Sequence, residues 1–237
     1  MGFRKSHECE LAEMKPFEPL QGKLSTEIIE SFQIVWDHLG LPGSWWTGKE
    51  RIGIASEVRQ SNPRKLWEKV GELENYDKDS GEILSPYVKA VVRIVANETS
   101  NIDQQIYDEI INTIGDDKYA ELAAVVTQVV AIDHLCDALG MEREPLPDPK
   151  EGDPRLERPG GLVDGVAFLP TFTADNLPHV AVSLSLAQAD NARRMLLVRA
   201  MYSGSSFGEM IWEHRNLTRP QIELVAARTS ALNECFY

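Results

Sequence analysis

The chain has 237 residues, with 24 lysines and arginines against 37 aspartates and glutamates, and a formal net charge of −13. Such a surplus argues against nucleic acid and anionic membrane surfaces as partners, because both need clustered cations. The 43% hydrophobic and 26% charged content belongs to a globular chain of one or two domains. Three distant cysteines, Cys9, Cys136 and Cys235, make no disulfide framework, so reduced thiols in a cytoplasmic setting are expected.

The N-terminal stretch, residues 1–20, reads as a mobile end without an apolar signal core. Met1-Gly2-Phe3-Arg4-Lys5-Ser6 fits the permissive myristoylation pattern, which chance often satisfies. His7-Glu8-Cys9 resembles a fragment of a metal site but has no third ligand nearby.

The region 21–142 reads as a first helical repeat. Ser25 to Leu39 places Ile28, Ile29, Phe32, Ile34, Val35 and Leu39 close to a 3.6-residue period, with Ser25 as N-cap and Glu27 in the first turn. Lys49 to Val58 predicts a short helix. Ser85-Pro86 opens another, with proline at a tolerated first-turn position. Asp103–Ile114 and Asp117–Leu139 follow, the latter stopped by Gly140. Its most apolar part, Leu122–Leu135, is interrupted by Thr127, Gln128, Asp133 and His134 and is too short to span a bilayer. Trp45-Trp46 reads as core or an oligomer contact rather than a ligand platform.

From Arg143 to Gly161 the chain carries Pro145, Pro147, Pro149, Pro154 and Pro159 with Gly152, Gly160 and Gly161. That density cannot sustain a helix and predicts an exposed linker or an extended crossing. The region 162–237 reads as a second helical repeat. It starts with a short extended piece, Gly165–Pro170, and continues with helices over Val182–Ala187, Asp190–Tyr202 and from Thr218 onward. Strand signals are few, so the predicted class is all-α.

A faint internal repeat aligns Glu121 with Glu223, Leu122 with Leu224, Ala124 with Ala226 and Thr127 with Thr229. It sets Asp133-His134-Leu135-Cys136 over Cys235-Phe236-Tyr237 and the position after Tyr237.

Arg219-Pro220-Gln221-Ile222-Glu223 through Cys235-Phe236-Tyr237 resembles the carboxymuconolactone decarboxylase and alkylhydroperoxidase D-like superfamily. Its redox members resemble the pattern E-x(11)-C-x-x-C-x-x-x-H. Leu41-Pro42-Gly43-Ser44-Trp45-Trp46-Thr47-Gly48-Lys49-Glu50-Arg51 and Leu217-Thr218-Arg219-Pro220 are also similar to two-repeat members. The resemblance implies an all-helical oligomer acting as a thiol- or selenol-dependent peroxidase or disulfide oxidoreductase. It implies a hydroperoxide substrate, a dithiol donor and no cofactor. Glu223 would orient a histidine that takes the thiol's proton, and Cys235 would be the resolving thiol.

The attacking thiol and the histidine would lie after Tyr237. Some relatives are similar to C-x-x-U variants, so a selenocysteine codon is one expectation for that position, beside a truncation or a lost motif. In each case the 237-residue chain alone is expected to lack peroxidase turnover, and apolar surface is expected between Ala231 and Tyr237. A non-catalytic oligomerisation scaffold and a cysteine-independent lactone enzyme remain the alternatives.

Geometry constrains the redox reading. Twelve residues of straight helix rise about 18 Å, so the helix must break between Glu223 and Cys235, or Glu223 serves another site. Asn233 is the candidate break and N-cap of a new helix. In the first repeat, Asp133 replaces the first cysteine and Gly140 the histidine, so Cys136 reads as structural. His38, His179 and His214 are scattered, and no metal motif, phosphate loop, nucleophile elbow or dinucleotide fingerprint occurs.

Overall fold

The computed structural model describes residues 16–61, 70–79, 81–164, 167–175, 177–203 and 216–234. Among them the protein is all-helical: α1 (Thr26–Leu39), α2 (Gly48–Gln60), α3 (Pro86–Asn97), α4 (Gln104–Ile114), α5 (Asp116–Ala138), α6 (Gln188–Val198) and α7 (Arg219–Leu232), joined by short 3₁₀ turns.

Local chemistry sets most helix starts. The side chains of Ser25, Ser85 and Asp103 accept hydrogen bonds from the N–H groups of Ile28, Val88 and Ile106, each satisfying one orphan donor. Thr47 and Glu50 close a reciprocal capping box on α2, and Thr218 with Gln221 caps α7 in the same manner. The start of α5 differs. Gly115, at φ +84°, turns the chain, and Asp116 and Asp117 place two acids in the first turn, where Arg158 grips both. Gly140, at φ +66°, ends this helix as the sequence predicts.

The helix α5 is the axis of the fold. Leu122, Val125, Val129 and Ile132 are fully buried, and α1, α2, α3, α4 and α6 all pack against it. A helix covered on all sides reads as apolar all round. By length and composition alone α5 could cross a membrane, but 67% of its most apolar window is buried inside the protein.

The second half joins the same core through Leu184, Leu186 and Leu197. Phe17 and Leu20, assigned on sequence to the loose N-terminal end, also lie in that core. Trp45 and Trp46 are buried, their indole N–H groups donating to the carbonyls of Leu186 and Lys118 at 3.0 and 2.9 Å. The proline-rich segment after Arg143 is non-helical, as expected, and it is held along the loop between α1 and α2. Lys150 N–H donates to Gly40 O, Arg155 N–H to Gly43 O and Leu156 N–H to Ser44 O.

Two details of the second half differ from expectation. Val182–Ala187 is not one helix: 3₁₀ turns cover His179–Ala181 and Ser185–Ala187. The hydroxyls of Ser183 and Ser185 donate to the carbonyls three residues before them, those of Val180 and Val182, which competes with regular helix bonding. The expected extended piece at Gly165–Pro170 includes residues 165 and 166, outside the described ones. The pairing found nearby is a single antiparallel bridge between Val163 and Thr171. Beyond α6 the helix widens into a π-turn, Arg199–Ser203.

Candidate functional site

Glu223 lies in the first half of α7. Its Oε2 accepts a 3.0 Å hydrogen bond from the Tyr202 hydroxyl in the π-turn, and its Oε1 lies 3.6 Å from Arg219 Nε. The carboxylate is 41% exposed, hence fixed in position yet reachable. The partner assigned to it, Cys235, lies outside the described residues, as does Cys9. The expected break between them is present, since α7 ends at Leu232. Asn233 closes α7 as its C-cap, with both its backbone N–H and its side-chain amide donating to Thr229 O, rather than opening a new helix. Glu234 then adopts φ +51°, outside the helical range.

Glu121, Asp133 and Cys136 lie in the first half of the chain, all on the unbroken α5. Glu121 and Asp133 are therefore separated by about 18 Å of helix rise and belong to different environments. Asp133 is locked by a bidentate pair with Arg59, both bonds 2.8 Å, and Arg143 approaches it at 3.5 Å. Arg59 in turn stacks over Trp36, 5.4 Å from the ring centroid. Cys136 is 1% exposed, and burial, with Asp133 and Asp137 beside it, pushes its thiol above the ordinary value. A buried thiol disfavoured as thiolate is chemically inert. Asp133 and Arg143 also edge an open cleft of about 570 Å³ at the C-terminal end of α5, lined further by Gln60, Asn97, His134 and Met141.

The most concentrated chemistry among the described residues sits elsewhere, around Arg51. Its guanidinium has no exposed surface and faces two equally buried carboxylates, Glu121 and Asp190. Nη1 and Nη2 donate to the two oxygens of Asp190 at 3.0 and 2.8 Å, and Nη1 also donates to Glu121 Oε1. Nε donates to Leu39 O at 3.2 Å, at the negative end of α1. Trp45 N–H donates to Glu121 Oε2 at 2.5 Å, and the Gln128 amide donates to Asp190 O at 3.1 Å. His38 Nε2 lies 3.3 Å from Asp190 Oδ1.

Burial alone would lower the Arg51 guanidinium, but Asp190 and Glu121 outweigh it and hold the group firmly charged. Burial pushes the Glu121 carboxyl above its ordinary value, only partly opposed by Arg51. Burial also acts upward on Asp190. There Arg51 and His38 prevail and hold it well below the usual carboxylate range.

The loop that delivers Trp45 requires glycine. A Cβ on Gly43 would stand 1.7 Å from Glu121 Oε1 and 2.7 Å from Arg51 Nη1.

The sequence reading used Glu121 only as the repeat partner of Glu223 and passed over Arg51, His38 and Asp190 as members of a site. One signal for Arg51 was present. Arg51, Ile54, Ala55 and Val58 share one helical face, so the arginine occupies a core position of α2. Nothing local marks Asp190.

No protein-family model, no curated protein and no solved structure significantly matches the chain.

Proposed function

We propose that the second half carries a thiol- or selenol-dependent peroxidase or disulfide-oxidoreductase centre of the alkylhydroperoxidase D-like kind, with Glu223 and Cys235 as its members in this chain. The observation that carries the reading is the hydrogen bond from Tyr202 to Glu223. It holds a half-exposed carboxylate from a π-turn, a feature frequent at functional sites. The end of α7 at Leu232 supports the reading too, because a continuous helix would carry Cys235 away from Glu223. The first repeat offers no competing centre: Asp133 is consumed by Arg59, and Cys136 is buried.

In this reading Cys235 works with a second, attacking thiol or selenol. That second group attacks the hydroperoxide, releases the alcohol and becomes a sulfenic or selenenic acid. The Cys235 thiol then attacks that centre, forms the S–S or S–Se bond and releases water. A dithiol donor restores both groups by exchange, becoming a disulfide itself. Glu223, fixed by Tyr202, orients the histidine that takes the attacking group's proton.

The test is hydroperoxide-dependent oxidation of a dithiol by the natural gene product. Turnover abolished in Cys235→Ser and reduced in Glu223→Gln and Tyr202→Phe supports the reading. Turnover unchanged in Cys235→Ser overturns it.

A second reading, an oligomerisation scaffold, draws on α7. Leu224, Val225 and Leu232 share one arc of this helix and are 71%, 61% and 65% exposed. Within Ala231–Tyr237, where exposed apolar surface is expected, Leu232 is exposed, and residues 235–237 lie outside the described ones. Sedimentation of the wild type against Leu224→Ser and Leu232→Ser distinguishes the cases, since an assembly built on this stripe dissociates in the variants.

A further inference from the structure

We infer that the cluster of Arg51, Glu121, Asp190 and His38 holds one titratable proton in the folded chain beyond those of its guanidinium and of a neutral imidazole, and that seating of α6 on α1, α2 and α5 is thereby linked to pH.

Four elements each contribute one titratable or charged group: His38 from α1, Arg51 from α2, Glu121 from α5 and Asp190 from α6. The side chains of Arg51, Glu121 and Asp190 are wholly buried, and that of His38 is 10% exposed. One guanidinium facing two carboxylates leaves a surplus negative charge. The carbonyls of His38 and Leu39, at the negative end of α1, point at the same guanidinium and compete for it. Trp45 N–H and the Gln128 amide solvate the carboxylates without cancelling a charge.

A buried surplus charge changes its protonation rather than persisting. Two groups can hold the compensating proton. His38 Nε2 faces Asp190 Oδ1 at 3.3 Å and has no hydrogen-bond partner among the described residues. Glu121 is the other carrier, since burial favours its neutral form. Asp190 is not a carrier, because the charged guanidinium of Arg51 engages both of its oxygens, against one oxygen of Glu121.

The sign follows from linkage. Glu121, whose neutral form burial favours, holds its proton more tightly folded than unfolded. Its contribution to stability is complete below the unfolded value and is lost as pH rises through the folded one. Deprotonation leaves the surplus charge at the joint between α6 and the rest of the core. This inference does not depend on redox activity in the second half.

The experiment is guanidinium chloride unfolding of the full chain from about pH 6 to about pH 9, beside Asp190→Asn and Glu121→Gln, each of which removes the surplus charge. The wild-type folding constant is expected to fall with rising pH, towards a limit of about ten-fold per pH unit for one proton. The variants are expected to lose most of that fall, while any fall from chain-wide charge repulsion remains in all three. Equal slopes in the wild type and in a folded variant overturn the inference. If neither variant folds, the wild type decides. Either a cationic imidazole, assigned to His38 by nitrogen NMR, or an infrared band of a protonated buried carboxyl must be present at neutral pH. Absence of both overturns the inference.

Discussion

Arg51 and Asp190 lie 139 positions apart in the sequence and are joined by two parallel hydrogen bonds of 2.8 and 3.0 Å, with neither side chain exposed. This pair fastens the second half of the chain to the first. It lies where α2 and α6 meet the central helix, and a third group, Glu121, uses the same guanidinium. Arginine suits such a position because its planar fork serves two carboxylates at once and stays charged when buried.

Removing the guanidinium alone should therefore be severe. Arg51→Met leaves two buried carboxylates without their counter-charge and is expected to cost about 3–5 kcal/mol, read by denaturant titration. Replacing Glu121 and Asp190 with leucine in the same chain should recover much of that loss, because apolar side chains of similar volume leave no charge to compensate. Failure of the triple variant to regain stability would show that packing, not charge, dominates the joint.

Gly43→Ala should be disruptive although it adds a single methyl group. The new carbon would overlap the Glu121 carboxylate, which Arg51 and Trp45 N–H hold from both sides and which cannot move aside cheaply. A cost of about 1–3 kcal/mol or more is expected from overpacking. Gly22→Ala meets nothing within 4 Å, so it isolates the backbone effect of its positive φ, +78°, and serves as the comparison.

Cys136 should be silent to thiol reagents in the folded state. In a Cys9→Ser, Cys235→Ser background, labelling by a disulfide reagent near pH 8 is expected to be slow and to accelerate on adding denaturant, because the thiol is buried and disfavoured as thiolate. Rapid native labelling would place a reactive thiol in the first repeat and remove the contrast between the two halves.

Acid should destabilise the protein through two carboxylates. Asp190 is held well below its ordinary value by Arg51 and His38, which outweigh its burial. Asp116 is lowered chiefly by its hydrogen bonds to Arg158. A depressed carboxylate contributes stability that is present above its unfolded value, near pH 4, and is lost as pH falls through the folded value. Unfolding midpoints should therefore decline below about pH 4, and less so in Asp116→Asn. The contribution of Asp116 is the smaller, since Asp116 and Arg158 are both partly exposed and their pairing is weakened by solvent.

Much of the helical framework was legible because its signals act within a few residues. The caps at Ser25, Ser85 and Asp103, the stop at Gly140 and the proline-rich crossing each depend on backbone groups three or four positions away. The turns around Ser183 and Ser185 were misread because their hydroxyls compete with the helix at the same short range. The repeat alignment paired Glu121 with Glu223, yet one is sealed against a buried arginine and the other is half-exposed beside Tyr202.

By itself the sequence determined an all-α chain, a long central helix from the neighbourhood of Asp116 to Gly140, and a helix end near Asn233. Only the tertiary structure decided that Arg51 and Asp190 meet and that Asp133 is taken by Arg59. Helix caps and periodicity are local properties of the backbone. Which charges share a buried space depends on how separate helices pack, and that follows from the burial of apolar faces far apart in the chain.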